Sequence, residues 1–294
     1  MTVKTAWVFP GQGSQKLGMG ADLLETEVGQ AKFAQAAEIL GWSVPETCQG
    51  DEEKLSQTLY TQPSLYVIES ILVDLLRHGS QSPDLVAGHS LGEYVALYAA
   101  GVLDFTTGLK LVKRRAELMN QAAGGTMAAL MGFKREDLLA KIAETPDVVL
   151  ANDNSAAQVV ISGTPEAVDE VLSAVKTKRS VKLKVSGAFH SHLMAPAAAE
   201  FSQILEEIEF HEAKVPVLSN VEPIPTTDST VLKERLQKQM TGSVRWLEIS
   251  LELPNQGINR VVEVGPGQVL TGLIKRTCEG LELVNISSVA DLAT

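Results

Sequence analysis

Two of the 294 residues are cysteine, only 5% are aromatic, and basic residues are outnumbered by acidic ones, 25 to 36. Cys48 and Cys278 are 230 positions apart and form no CxxC pair, so neither a disulfide framework nor a thiolate metal site is expected, and a reducing cytoplasm fits. The net charge of −11 argues against nucleic acid as a partner, and an acidic partner would need a local basic patch. No apolar run is long enough to span a bilayer. Met1–Phe9 lacks a charged leader, an apolar core and a cleavage site, so it reads as a first strand and no export signal is expected. His-x-x-x-His, Cys-pair and Asp-x-Asp patterns are missing, and with them the usual metal cages. There is no internal repeat, low-complexity tract or long linker.

What is present is an ordinary globular composition, 45% apolar and 21% charged, in a chain long enough for a large core. Up to about Gly124 strands and helices alternate. Ala6-Trp7-Val8-Phe9 reads as a strand, Ala31–Leu40 and Pro63–Arg77 as helices, and Thr107–Gln121 as another helix. Such alternation predicts a mostly parallel sheet covered by helices. From 125 to 187 the order becomes strand (Met127–Met131), helix (Arg135–Glu144), two strands (Val148–Ala151 and Gln158–Ile161), helix (Pro165–Lys176) and strand (Val181–Val185). That βαββαβ order is ferredoxin-like. Helices at Ala197–Glu207 and Val231–Gln239, with strands at Val215–Leu218 and Arg260–Val264, then resume the first pattern. The expected fold is therefore α/β: a large α/β-hydrolase-like domain (1–124 and 188–294) with a small ferredoxin-like domain (125–187) inserted and a cleft between them.

Asp84-Leu85-Val86-Ala87 followed by Gly88-His89-Ser90-Leu91-Gly92 and a helix-forming stretch has the form of a nucleophile elbow. The glycines permit the sharp turn, Ser90 Oγ is held over the sheet edge, and the helix start directs N–H groups at an oxyanion. A serine needs a base. Among five histidines, His89 adjoins the nucleophile and points away, His78 closes a helix, and His211 lies in a polar stretch. His190, in the loop returning from the inserted domain, is the best partner for Ser90, with His192 as the fallback.

The Gly11-Gln12-Gly13-Ser14-Gln15 loop lacks the third glycine of a dinucleotide fingerprint and the ending of a P-loop. It is either a plain turn or a source of an oxyanion donor at Gln12, beside the Leu91 N–H. Arg115 projects into the apolar arc of its helix, between Leu111 and Met119, so it requires an anionic partner. That partner is an internal carboxylate or a substrate carboxylate held by a bidentate fork. Lys176, Lys178, Arg179, Lys182 and Lys184 cluster where the insert's second helix meets its last strand, as a solvated surface or a landing site for an acidic protein.

With Thr61-Gln62-Pro63, Gly187-Ala188-Phe189-His190-Ser191, Ser219-Asn220-Val221 and Glu263-Val264-Gly265-Pro266-Gly267 added to these motifs, the chain closely resembles malonyl-CoA:acyl-carrier-protein transacylases from end to end. The resemblance implies transfer of a malonyl group through a malonyl-Ser90 ester, in fatty-acid or polyketide synthesis. His190 would be the base, Gln12 and Leu91 N–H groups the oxyanion hole, and Arg115 the malonyl-carboxylate clamp. A backbone carbonyl at Gln239 would orient the histidine. Phe189 fits the malonyl-type pattern. No cofactor is implied, since malonyl-CoA is a substrate. The implied partner is an acidic acyl-carrier protein, docking near Lys178, Arg179, Lys182 and Lys184, on a cytoplasmic monomer that touches neither nucleic acid nor membrane. The competing readings from the residues are a serine hydrolase using water as acceptor and a carrier-docking module with a dead site.

Overall fold

The computed structural model describes residues 3–122, 124–185 and 187–293. Met1, Thr2, Ala123, Ser186 and Thr294 lie outside them, including the first two residues of the expected N-terminal strand and one residue of the stretch before His190.

Two sheets account for the architecture. The larger contains β1 (Thr5–Phe9), β2 (Leu85–Gly88), β7 (Val217–Leu218), β8 (Arg260–Val264) and β9 (Glu282–Ile286), in the order β7-β2-β1-β8-β9 with every pair parallel. β1, β2, β7 and the end of β8 are buried, as expected for strands covered on both faces. The smaller sheet is antiparallel and contains β3 (Thr126–Phe133), β4 (Val148–Ser155), β5 (Gln158–Gly163) and β6 (Thr177–Lys182), in the order β4-β5-β3-β6. With helices Arg135–Glu144 and Pro165–Ala174 this is the expected βαββαβ unit, and the α/β architecture is as read from the sequence.

Three apolar clusters fill the molecule. One lies on each face of the larger sheet, and a third, around Leu130, Ile161 and Val168, packs the small sheet on its two helices. β4 is also tied to the large unit. It carries a bulge between Leu150 and Asn152, and beside it Val244 N–H donates to Ala151 O (2.8 Å) while Asp153 N–H donates to Val244 O (2.9 Å).

The structure moves several expected boundaries. β6 begins at Thr177, not Val181, because an exposed edge strand of polar residues gives no hydrophobic periodicity to read. The helix expected from Pro63 begins at Thr58. Pro63 lacks an N–H and so reads as a start, yet it sits inside a helix whose burial outweighs the lost backbone bond. The helices at Glu27–Leu40 and Phe105–Gln121 start earlier than expected, the latter capped by Asp104 accepting from Thr107 N–H (2.7 Å). The expected Val215–Leu218 strand shrinks to two residues.

Candidate active site

The chemistry-bearing loops leave the C-terminal ends of β1, β2, β7 and β8, which is where parallel α/β sheets gather their sites. At the end of β2 the chain turns through Ser90, whose φ of +52° is left-handed and costs a non-glycine residue about 1 kcal/mol or more. The turn tolerates no bulk beside it: a Cβ on Gly92 would stand 2.0 Å from Phe9 O, and one on Gly88 would stand 1.9 Å from Gly92 C. Helix Gly92–Ala99 follows directly.

Ser90 Oγ lies 2.8 Å from His190 Nε2. The other ring nitrogen, Nδ1, is within 3.0 Å of Gln239 O and 3.1 Å of Gly242 O. Carbonyls only accept, so the proton sits on Nδ1 and Nε2 is left bare to accept from the serine hydroxyl. Burial pushes the His190 pKa down to about 3, and the Arg115 charge pushes in the same direction. The imidazole is a neutral acceptor in the resting protein. His192, the fallback, is half exposed and paired with Asp147 (3.0 Å) away from Ser90. His89 contacts Asn154 Oδ1 (2.8 Å) and packs on Trp246, as a structural residue would.

Arg115 reaches the same hydroxyl from helix Phe105–Gln121. It is fully buried, and burial lowers its pKa. Nη2 donates to Ser90 Oγ (3.0 Å) and Gln239 Oε1 (3.1 Å), and Nη1 to Gln62 Oε1 (2.8 Å). Among the described residues no carboxylate forms an ion pair with it, and its Nε has no partner. Of the two partners open in the sequence, an internal carboxylate is therefore not in contact. The Tyr94 ring lies 5.3 Å beneath the guanidinium.

Gln12 uses its side chain as an anchor, donating to Thr58 Oγ1 (3.2 Å) and accepting from Gln62 Nε2 (3.4 Å). Its loop lies against the elbow, since a Cβ on Gly11 would be 2.4 Å from His89 O and 3.6 Å from Leu91 N. The Gly11 backbone, next to Gln12, thus stands close to the Leu91 N–H. Thr58, which accepts from the Gln12 side chain, also lines a cavity of about 710 Å³ together with Asn120, Lys184, Glu52 and Glu53.

Sequence reasoning singled out neither Gln62 nor Asn220 as a site residue. Gln62 follows from no spacing rule, and because Thr58 and Glu69 share its side of the helix, it does not stand out there as Arg115 does on its own helix. Asn220 accepts from Ser90 N–H (2.7 Å) and donates to Gly88 O (2.5 Å), a role only tertiary structure reveals.

Known proteins match this chain in sequence and in fold. The model of the acyl transferase domain covers residues 6–293. A malonyl CoA-acyl carrier protein transacylase of Synechocystis sp. is 59% identical over 290 residues, 99% of each chain. The chain belongs to the malonyl-CoA:acyl-carrier-protein transacylase family. The crystal structure of the Synechocystis transacylase superposes on this family member with a TM-score of 0.98 over 99% of each chain. Another relative in the family, the polyketide biosynthesis malonyl CoA-acyl carrier protein transacylase PksC of Bacillus subtilis, is 42% identical over 92% of this chain and 96% of its own length. A malonyl-transacylase solved with its type II polyketide acyl-carrier protein superposes at a TM-score of 0.94, with 37% identity over 99% of this chain and 98% of the other.

Proposed function

We propose that this chain transfers the malonyl group from malonyl-CoA to an acyl-carrier protein through an ester on Ser90. The observation that carries the reading is one hydroxyl set between a neutral imidazole and a buried guanidinium that no carboxylate among the described residues contacts. Family membership supports malonyl transfer to the carrier, for fatty-acid or polyketide synthesis.

In the first half-reaction Arg115 binds the malonyl carboxylate in place of its contact with Ser90 Oγ. Ser90 Oγ forms a bond to the thioester carbon as His190 Nε2 takes the hydroxyl proton. The Gln12 and Leu91 N–H groups hold the oxyanion. Collapse breaks the carbon–sulfur bond, and the imidazolium returns the proton to the CoA thiolate. The carrier's phosphopantetheine thiol then runs the same steps in reverse, giving ping-pong kinetics. The Gln239 and Gly242 carbonyls keep the imidazole in the working tautomer and replace the carboxylate of a Ser-His-Asp triad.

Several assignments rest on this reading. Residues 125–187 form the inserted domain, and the carrier docks on its β6 side. There Lys178 and Arg179 are exposed on the strand, while Lys182 pairs with Asp169 (2.6 Å). These basic residues lie on the edge strand itself, not at the helix–strand junction the sequence suggested. Among the described residues no helix is long and apolar enough to cross a membrane. A cytoplasmic monomer remains part of the proposal, with both cysteines free.

Intact-mass analysis after mixing with malonyl-CoA tests the reading. Wild type accumulates one malonyl adduct and Ser90→Ala none. Immediate release of malonate without carrier protein would support a hydrolase instead, and carrier binding with no adduct a dead site.

A further inference from the structure

Ser90 sits in a left-handed conformation, and both of its backbone polar groups are held by side chains from distant parts of the chain. Its N–H donates to Asn220 Oδ1 (2.7 Å), and its carbonyl accepts from Gln239 Nε2 (2.8 Å). Both holders converge on a single atom. Glu93 Oε2, one turn along the helix from Ser90, accepts from the Gln239 side-chain amide (2.7 Å) and from the Asn220 backbone N–H (3.3 Å).

Glu93 is 1% exposed. Burying a carboxylate is costly unless its acceptor capacity is used. No basic side chain forms an ion pair with it among the described residues. Its use is to accept. The carboxylate fixes which end of the Gln239 amide is which: the NH2 end faces Glu93 and Ser90 O, so the oxygen end faces Arg115 Nη2 (3.1 Å). The same residue's backbone carbonyl holds His190 Nδ1. Nucleophile, base and clamp are thus referred to one buried oxygen.

We infer that Glu93 is a positioning residue for the acylation step, acting through Gln239 and Asn220 to hold Ser90 in line with His190. It touches neither substrate nor the reacting atoms. The inference rests on Ser90 being the acylated residue.

The test compares Glu93→Met, which keeps length and bulk but accepts nothing strongly, with Glu93→Gln, which keeps an oxygen able to meet both N–H groups. Rapid-quench intact mass reads the rate of Ser90 malonylation per folded molecule across malonyl-CoA concentrations. Glu93→Met should lower the maximal rate about tenfold or more, because small displacements of reacting groups are kinetically expensive. Its half-saturating concentration should stay within about threefold, and Glu93→Gln should recover most of the rate. A wild-type rate in Glu93→Met, a loss confined to half-saturation, or no recovery in Glu93→Gln would each overturn the role. If Glu93→Met does not fold, Glu93→Asp, with the carboxylate withdrawn by one methylene, should show the same loss of maximal rate, and a wild-type rate there overturns the role equally. A wild type that forms no adduct would instead refute the Ser90 mechanism itself.

Discussion

Arg115 Nη2 donates to Ser90 Oγ across 3.0 Å, so the hydroxyl that lies against His190 Nε2 already faces a fixed positive charge. On the proposed mechanism the contact joins selection to reactivity, since the cation that would recognise the acyl group stands beside the hydroxyl that would receive it. It also occupies the fork until a carboxylate arrives.

Arg115→Ala should therefore separate substrates rather than abolish turnover. Malonylation of Ser90 is expected to fall about a hundredfold or more, because a site built for a charged group depends strongly on that contact. Acetyl transfer should be retained or rise. Initial rates with the two CoA esters measure this, and an unchanged malonyl preference would remove Arg115 from the clamp.

The acid limb of the acylation rate should lie far below the ordinary histidine range. His190 is pushed down to about 3 by burial and by Arg115, so the neutral base persists until the pH approaches that value. Acylation kcat/KM should be flat between about pH 5 and 8, where an unperturbed imidazole would lose activity below about 6.5. Arg115→Ala removes the second depressing influence, so with acetyl-CoA its acid limb should move upward. A wild-type rate halving near pH 6.5 would contradict the buried neutral base.

Reversing charge on the exposed edge strand should affect one substrate only. Lys178→Glu with Arg179→Glu is expected to raise KM for carrier protein several-fold and leave KM for malonyl-CoA unchanged, with the difference shrinking at high salt. Equal KM values for carrier in variant and wild type would make the strand a solvated surface.

Gly92→Ala should disrupt the elbow rather than tune it. A Cβ there meets Phe9 O at 2.0 Å, backbone against backbone, so β1 or the helix start must shift. A loss of about 1–3 kcal/mol or more is expected, read as a lower urea midpoint together with absent acylation. A stable, fully active variant would show that the elbow has slack.

The elements that bear the site were legible because strong local rules agree there. Glycines flank Ser90, apolar β2 precedes it, and a charged residue interrupts the buried arc at Arg115. The βαββαβ order was readable from alternating apolar runs. The polar strand β6 and the helix through Pro63 were not, because tertiary burial overrode local preference. Gln62, Asn220 and the Glu93 contacts were hidden for another reason. Each is a single polar side chain whose partner is 53 to 146 residues away, and pattern along the chain carries no information about such pairings.

The two backbone bonds between β4 and Val244 bear on how this architecture can be altered. Val244 is two residues beyond Gly242, whose carbonyl accepts from His190 Nδ1. The inserted sheet is therefore no interchangeable cassette. A chimera that imports another insert without a matching kink after Leu150 would leave that strap unfastened, and catalysis would suffer at a point the graft never touched.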